Sequence, residues 1–307
     1  MKTRLSAQAM AVMLMVVGLL AARPVQAQAE TNKLAVHVQK ILDSLNYRQG
    51  TIDLHNGLAT LTVPTNFNYL GPDDAEKVLV QLWGNPPDAG KTLGLLIPAG
   101  LTPISSNCWV VTIDYNEDGY VKDNDASKIN YDDLLKKMQA GVAEANKQRE
   151  AKGYPAVTLV GWAAPPRYDA ASHKLYWAKQ IHFGDSPEDT LNYNIRMLGR
   201  KGVLELTAVA DIDQFADIDK QTPQILSMVD FKEGNRYADF DPKVDKVATY
   251  GLAALVAGGV AAKLGLFKVV WVAILALKKF VIIAVVAVGA FFKRLFARKG
   301  NSSGPTV

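Results

Sequence analysis

Apolar residues recur at two spacings along the first 246 positions, and the switches between them lay out a fold. From Asn32 to Leu45 they fall at Leu34, Val38, Ile41, Leu42 and Leu45, which is one helical face. Thr51 to Leu54 and Leu58 to Val63, joined through Asn56-Gly57, predict a β-hairpin closed by Pro64. Asp73 and Glu76 have capping-box spacing. They open a helix with Ala75, Val78, Leu79, Leu82 and Trp83 on one side, stopped at Asn85-Pro86-Pro87. Leu93 to Ile97 and Trp109 to Tyr115 read as strands. Asn130 then caps a helix striped by Leu134, Met138, Val142 and Ala145, which ends at Gly153-Tyr-Pro. Ala156 to Trp162 predicts another strand. Between His173 and Phe183, the residues Leu175, Trp177, Ile181 and Phe183 alternate as a half-buried strand does. Thr190 to Leu198 and Val203 to Ala210 predict a long hairpin turning at Gly199-Arg-Lys-Gly202, and Thr222-Pro223 opens a short helix with Ile225, Leu226 and Val229. The expected class is α+β: an antiparallel sheet of about six strands with three or four packed helices. Consecutive hairpins without strand–helix–strand alternation argue against a doubly wound parallel sheet.

The pattern changes at Val247. Through Phe296 the chain is apolar without a single Asp or Glu, and its only charges are Lys263, Lys268, Lys278, Lys279, Lys293 and Arg294. A bilayer core about 30 Å thick needs roughly 20 apolar residues in a helix. The expected anchor therefore occupies 247–296, with a span from about Thr249 to Leu277, and leaves a basic cytoplasmic tail over 297–307. Lys278-Lys279 would mark the end of the crossing, because a charge at mid-bilayer is expensive; a single crossing from Lys268 to Phe292 and a two-span hairpin are the alternatives. Within the run, Ala254, Gly258 and Ala262 fall four apart, a small-residue ridge on which membrane helices can pack and self-associate.

At the other end, Lys2 and Arg4, the apolar run Ala9 to Ala22 and Val25-Gln26-Ala27 have the three parts of an export signal over 1–27. The remainder, 28–246, is the expected extracytoplasmic domain. The chain's formal charge of +4 hides an asymmetry that follows this division. All 30 acids and 23 of the 34 basic residues lie in the middle, leaving it at −7, while the ends hold basic residues alone. The basic balance thus orients the chain in a membrane rather than serving nucleic acid. One cysteine, Cys108, excludes an intramolecular disulfide.

Candidate chemistry is sparse. Asp114, Asn116, Asp118, Gly119 and Asp125 match several positions of a calcium loop, but the last is a short Asp and the preceding element is a strand. A solvated Asp-Gly turn accounts for the same residues, and no metal is assigned. His173 and His182, nine apart on an expected strand, point to opposite faces. Trp162, Arg167, Tyr168 and Asp169 belong to the most distinctive loop-like stretch, Gly161-Trp-Ala-Ala-Pro-Pro-Arg-Tyr-Asp169. They form a candidate surface for a sugar or peptide, unless Trp162 and Trp177 are core. Asp211, Asp213, Asp217 and Asp219 read as a solvated face. No nucleophile motif, phosphate-binding glycine loop or dinucleotide fingerprint occurs, so no catalytic residue and no cofactor is assigned.

Two resemblances add to this. The order of elements resembles the Mog1/PsbP-like sandwich, a likeness of fold that transfers no function. Several blocks carry a more specific one: Gly50-Thr-Ile-Asp-Leu, Val63-Pro64-x-x-Phe67-x-Tyr69-Leu70, Trp83-Gly-Asn-Pro-Pro87, and Gly119-Tyr-Val-Lys-Asp-x-Asp125. They continue with Ile129-Asn-Tyr-Asp-Asp133, Gly161-Trp-Ala-x-Pro-Pro166-Arg-Tyr-Asp169, Leu191-Asn-Tyr-Asn-Ile-Arg196-x-Leu-Gly-Arg200 and Tyr237-Ala-Asp-Phe240. Together these resemble the bacterial, membrane-anchored proteins grouped as domain of unknown function 2167. That resemblance implies a signal peptide, an extracytoplasmic domain and a C-terminal anchor, and it transfers no catalytic residue. The expectation is a non-enzymatic binding or scaffolding module held at the bacterial inner membrane with its domain in the periplasm. Its partners would be the lipid bilayer, an envelope protein or glycan, and a second copy through the anchor. The alternatives are a carboxylate-based envelope hydrolase and a homo-oligomeric membrane assembly.

Overall fold

The computed structural model describes residues 33–258, Pro86 and Lys152 excepted. These fall into two units, 33–44 and 45–258, described separately. The first holds helix α1 (33–43), closed by a hydrogen bond from the Ser44 N–H to the Ile41 carbonyl, as its apolar spacing predicts.

The second unit is α+β and its strand ladders are antiparallel. A seven-stranded sheet runs in the order β3 (Phe67–Leu70), β4 (Gly94–Pro98), β5 (Val110–Asn116), β9 (Val203–Asp211), β8 (Thr190–Leu198), β7 (Lys174–Phe183), β6 (Val157–Asp169). A second sheet joins β1 (Gly50–Leu54), β2 (Ala59–Val63) and β10 (Val229–Phe231). The single six-stranded sheet expected from the pattern is thus corrected to seven strands plus three. β3 and β10 are too short to show periodicity, and Pro165-Pro166 hides the length of β6.

One face of the large sheet carries Ile113, Tyr193, Ile195, Leu204, Leu206 and Ala208. They pack with Leu54, Leu61, Val63 and Val229 of the small sheet and with Ile218 and Ile225 of α4 (Phe215–Met228). The opposite face presents Leu175, Trp177, Leu198 and Val203, which cluster with Met138 of α3 (Tyr131–Ala151) and with Leu252, Leu255 and Val256 of α5 (Leu252–Ala257). Helix α2 (Pro72–Glu76), continued by a wide turn at Lys77–Leu82, packs on β4.

The local signals explain these elements unevenly. Asn130 caps α3 as expected, its side-chain oxygen accepting from the Asp132 and Asp133 N–H groups at 3.1 Å each. The Asp73–Glu76 capping box does not form. Helix α2 starts after Gly71 with Pro72 in its first turn, and Asp74 instead pairs with Lys77 and accepts from the Asn46 N–H. Helix α4 begins earlier than Thr222-Pro223 predicts, at a box between Asp211 and Gln214, and it carries Pro223 inside.

The segment Val247–Ala257, read in the sequence as the start of the anchor, belongs to the domain. Tyr120 bridges Val247 in parallel through two 2.8 Å hydrogen bonds, Tyr120 N–H to the Lys246 carbonyl and Ala248 N–H to the Tyr120 carbonyl. Asp125 accepts from the Leu252 and Ala253 N–H groups at the start of α5, and Tyr250 donates to Asp118. Leu252 is fully buried. Gly119 permits this docking: at φ 109° its missing Cβ would lie 2.6 Å from the Lys246 carbonyl oxygen. Gly119→Ala is expected to cost more than about 1 kcal/mol, because its backbone conformation disfavours a side chain and the bridge must shift. Thermal unfolding measures this, and an unchanged melting temperature would refute the docking role. Among the described residues no helix is long and apolar enough to cross a membrane. The expected signal and the remainder of the expected anchor lie outside the described residues.

Candidate functional site: a polar belt buried in the sheet

Strand β8 reads Thr190-Leu-Asn-Tyr-Asn-Ile-Arg-Met-Leu198. Alternation sends Leu191, Tyr193, Ile195 and Met197 into the apolar core and turns Thr190, Asn192, Asn194 and Arg196 to the other face. Such a polar half normally meets water, yet all nine residues are buried. The register builds a belt from them. Trp177, Asn194, Thr207 and Thr112 stand side by side across β7, β8, β9 and β5. Lys179, Asn192 and Val209 form the next rung on one side, and Leu175, Arg196, Glu205 and Asp114 the next on the other. Residues directly opposite in a ladder share a face, so these side chains are neighbours.

The belt's charges are unevenly matched. Arg196 pairs with Glu205 at 3.0 Å, contacts the Thr207 hydroxyl at 3.4 Å, and lies 5.3 Å from the centre of the Trp177 ring. Glu205 also accepts from the Asn116 amide. Lys179 is only 6% exposed and has no hydrogen-bond or ion-pair partner among the described residues. Loss of water, and next the like charge of Arg196, push its ammonium down to about 8, against a weaker pull from Glu205. The Trp177 indole N–H is also buried without an acceptor. At the other edge, burial and then Glu205 lift the Asp114 carboxyl to about 7, opposed by Arg196 and the hydroxyls of Thr92 and Thr112. Buried polar groups are ordinarily hydrogen-bonded, and each orphan is costly. Here the indole N–H of Trp177 is such an orphan among the described residues, and the Lys179 ammonium two residues along the strand has no ion-pair partner among them.

The four residues singled out in the sequence lie along one strand and have different hydrogen-bond or ring partners. Gly161–Asp169 is the outer part of edge strand β6 rather than a loop, with three irregularities in its pairing to β7. Trp162 donates to the Tyr131 carbonyl at 3.4 Å and packs toward α3. Arg167 is exposed and lies over the Tyr176 ring. Tyr168 donates to Asp123 at 2.7 Å and touches His173 Nδ1 at 3.2 Å. Asp169 closes the following turn, accepting from the Ala171 N–H and the Ser172 hydroxyl. These are four separate structural tasks.

The calcium-like pattern is likewise dispersed. Asp114 lies on β5, while Asp118 and Asp125 hold the 247–257 segment. No three His, Cys, Asp or Glu side chains among the described residues gather as a metal ion would require. His173 sits in the β6–β7 turn at φ 52°, and His182 on β7 engages Asp189 at 2.8 Å. Asp219 accepts from the Tyr193 hydroxyl. In the small-residue ridge, Ala254 is in α5, Gly258 ends that helix in a left-handed conformation, and Ala262 lies outside the described residues.

The fold and the belt define an antiparallel α+β domain with an incompletely neutralised polar layer on one face of its main sheet. The chain belongs to the family described as Protein of unknown function (DUF2167), whose family model matches residues 46–289. No curated protein matches the chain. Among solved structures it is similar to cyanobacterial PsbP (CyanoP) from Synechocystis sp. PCC 6803. That likeness has 7% identity, covers 62% of this chain and 93% of that one, and gives a TM-score of 0.33, too loose to carry any argument.

Proposed function

We propose that this protein is a membrane-anchored, non-enzymatic binding module of the bacterial envelope. In this reading the signal at 1–27 exports the domain to the periplasm, and the acid-free run beyond Gly258 holds it at the inner membrane. With Val247–Ala257 part of the domain, the acid-free run from Gly259 to Phe296 is still longer than the roughly 20 helical residues that one crossing needs. The family match extends to residue 289, which supports treating the run and the domain as one functional unit.

The observation that carries the binding role is the Trp177 indole N–H, buried without an acceptor among the described residues beside Lys179, which has no ion-pair partner among them. The belt favours binding over hydrolysis. Asp114 and Glu205 are opposite one another, but Glu205 is held by both Arg196 and Asn116. One carboxyl remains free where acid–base hydrolysis needs two. The partner is then an envelope component, and self-association would run through the anchor.

Topology and binding are tested separately. Thr158 is exposed on β6, while native Cys108 is buried. A Thr158→Cys variant in intact cells is expected to react with a membrane-impermeant maleimide, and the chain to stay with the membrane after carbonate extraction. Labelling only after lysis would refute the periplasmic placement. For binding, native mass spectrometry of the full chain released from membranes is expected to show a retained small molecule that Lys179→Met loses. An identical mass spectrum for the two would count against the belt.

A further inference from the structure

We infer that strand β1 is a docking edge for a second copy of this chain, which adds its own β1 in antiparallel register about Ile52. This goes beyond the binding-module reading and does not depend on the belt. An edge strand presents a row of backbone groups that can pair with another chain, so proteins usually cover their edges. The large sheet is covered at both ends. On β6, the Asn146 side chain donates to the Val157 carbonyl and accepts from the Val157 N–H, and Gln139 donates to the Leu159 and Val160 carbonyls. Further along, Pro165 and Pro166 have no N–H to offer. On β3, Arg48 bridges Tyr69 through backbone bonds in both directions, and the Gln49 amide donates to the Thr65 and Phe67 carbonyls. In the small sheet β10 has only three residues, while β1 pairs with β2 on one side and with no described strand on the other.

Which groups face outward follows from the ladder. The Lys232 N–H donates to the Leu58 carbonyl, on the β10 side of β2. Backbone groups alternate sides along a strand, so Ala59, Leu61 and Val63 turn theirs to β1 and meet Leu54, Ile52 and Gly50. Thr51 and Asp53 are left pointing away, and both are exposed. The run Gly-Thr-Ile-Asp-Leu complements itself when reversed. About a two-fold axis at Ile52, Thr51 faces the partner's Asp53 and Asp53 faces the partner's Thr51, each such pair exchanging two backbone hydrogen bonds and setting a hydroxyl beside a carboxylate. Lys232 occupies Asp53 Oδ1 at 2.7 Å, and the threonine hydroxyl suits the other oxygen. The half-buried Ile52 meets its counterpart on the core side. Centring on Asp53 would oppose two like charges. Centring on Thr51 would carry the ladder past Gly50, whose φ of 83° turns the chain out of line.

The test uses the purified full chain with a cysteine introduced at 51, 52 or 53; native Cys108 is buried and stays as the background. Opposed residues that exchange no hydrogen bonds in an antiparallel ladder have Cα atoms about 4.5 Å apart, within reach of a disulfide. Ile52→Cys is therefore expected to give a covalent dimer under mild oxidation. Thr51→Cys and Asp53→Cys are expected to give none, since each lies two residues out of register with its own counterpart. Within the Ile52→Cys chain, adding Thr51→Asp sets carboxylate against carboxylate in both pairs and is expected to lower the dimer yield about tenfold. Adding Asp53→Thr as well exchanges the two roles and is expected to restore the yield, which a mere loss of fold would not allow. Equal crosslinking at all three positions, no dimer from Ile52→Cys, or no recovery in the exchanged variant would overturn the inference.

Discussion

Glu205→Gln is expected to destabilise the domain by about 3 kcal/mol, more than any other single conservative change in the belt. The amide preserves shape and leaves an oxygen for Asn116, so the loss reports charge. Without the carboxylate, Arg196 loses its ion-pair partner and Lys179 the anion that attracts it, and only Asp114, opposite position 205 on β5, remains to offset them. The mirror change is expected to cost only about half as much. In Arg196→Met, Glu205 loses its 3.0 Å partner but keeps the Asn116 amide and the attraction of Lys179. Combining Glu205→Gln with Lys179→Met should recover part of the loss, because the second change removes one of the two unmatched charges. Chemical denaturation of the full chain with a constant m-value measures the parent, the three single variants (Lys179→Met included) and the double variant. Equal costs for the two single changes, or strict additivity of the double variant, would mean that Lys179 does not sense this pair.

How much of this could be read from the chain depends on whether local pattern or distant packing decides each feature. The helix at 33–43, the β1–β2 hairpin, the Asn130 cap and the β8–β9 hairpin follow from spacing and turn residues alone, and the structure contains them. Gly161–Asp169 misled because a glycine and two prolines usually interrupt strands. An edge strand tolerates them, since its outer N–H groups need no partner. Val247–Ala257 misled for another reason. Apolar composition says that residues avoid water, but not whether lipid or protein receives them, and Leu252 and Val256 are received by the sheet and α3. The belt was half legible. The alternation Asn192, Asn194, Arg196 was visible, and so was Lys179 interrupting the stripe Leu175, Trp177, Ile181, Phe183. Taken alone, each polar set reads as a solvated face. Only the register that aligns β7, β8, β9 and β5 shows that the polar residues form one buried layer.

That layer should give the protein an unusual stability profile, with a minimum between about pH 7 and 8 instead of a maximum. Asp114 titrates at about 7 in the folded protein against 3.8 when unfolded, lifted by burial and by Glu205 in spite of Arg196, Thr92 and Thr112. Between these values the folded state keeps a proton that the unfolded chain has released, so stability falls as pH rises, by up to about 4 kcal/mol. Lys179 acts in the opposite direction. Burial and Arg196 bring it to about 8 from 10.5, so above pH 8 the unfolded chain binds the extra proton and stability climbs again, by up to about 3 kcal/mol. Near pH 10 the climb ends, because buried tyrosines such as Tyr115, raised to about 12, must ionise on unfolding. His182, raised by Asp189, strengthens the falling limb: its protonated form stabilises the fold at low pH, and that contribution fades as pH rises through its folded value. Each limb has its own control. Asp114→Asn should flatten the fall between pH 4 and 7 and make the protein more stable at pH 7. Lys179→Met should remove the rise between pH 8 and 10. Melting temperatures across this range decide the matter, and a parent protein most stable near pH 7.5 would show that neither group is held as the belt's geometry requires.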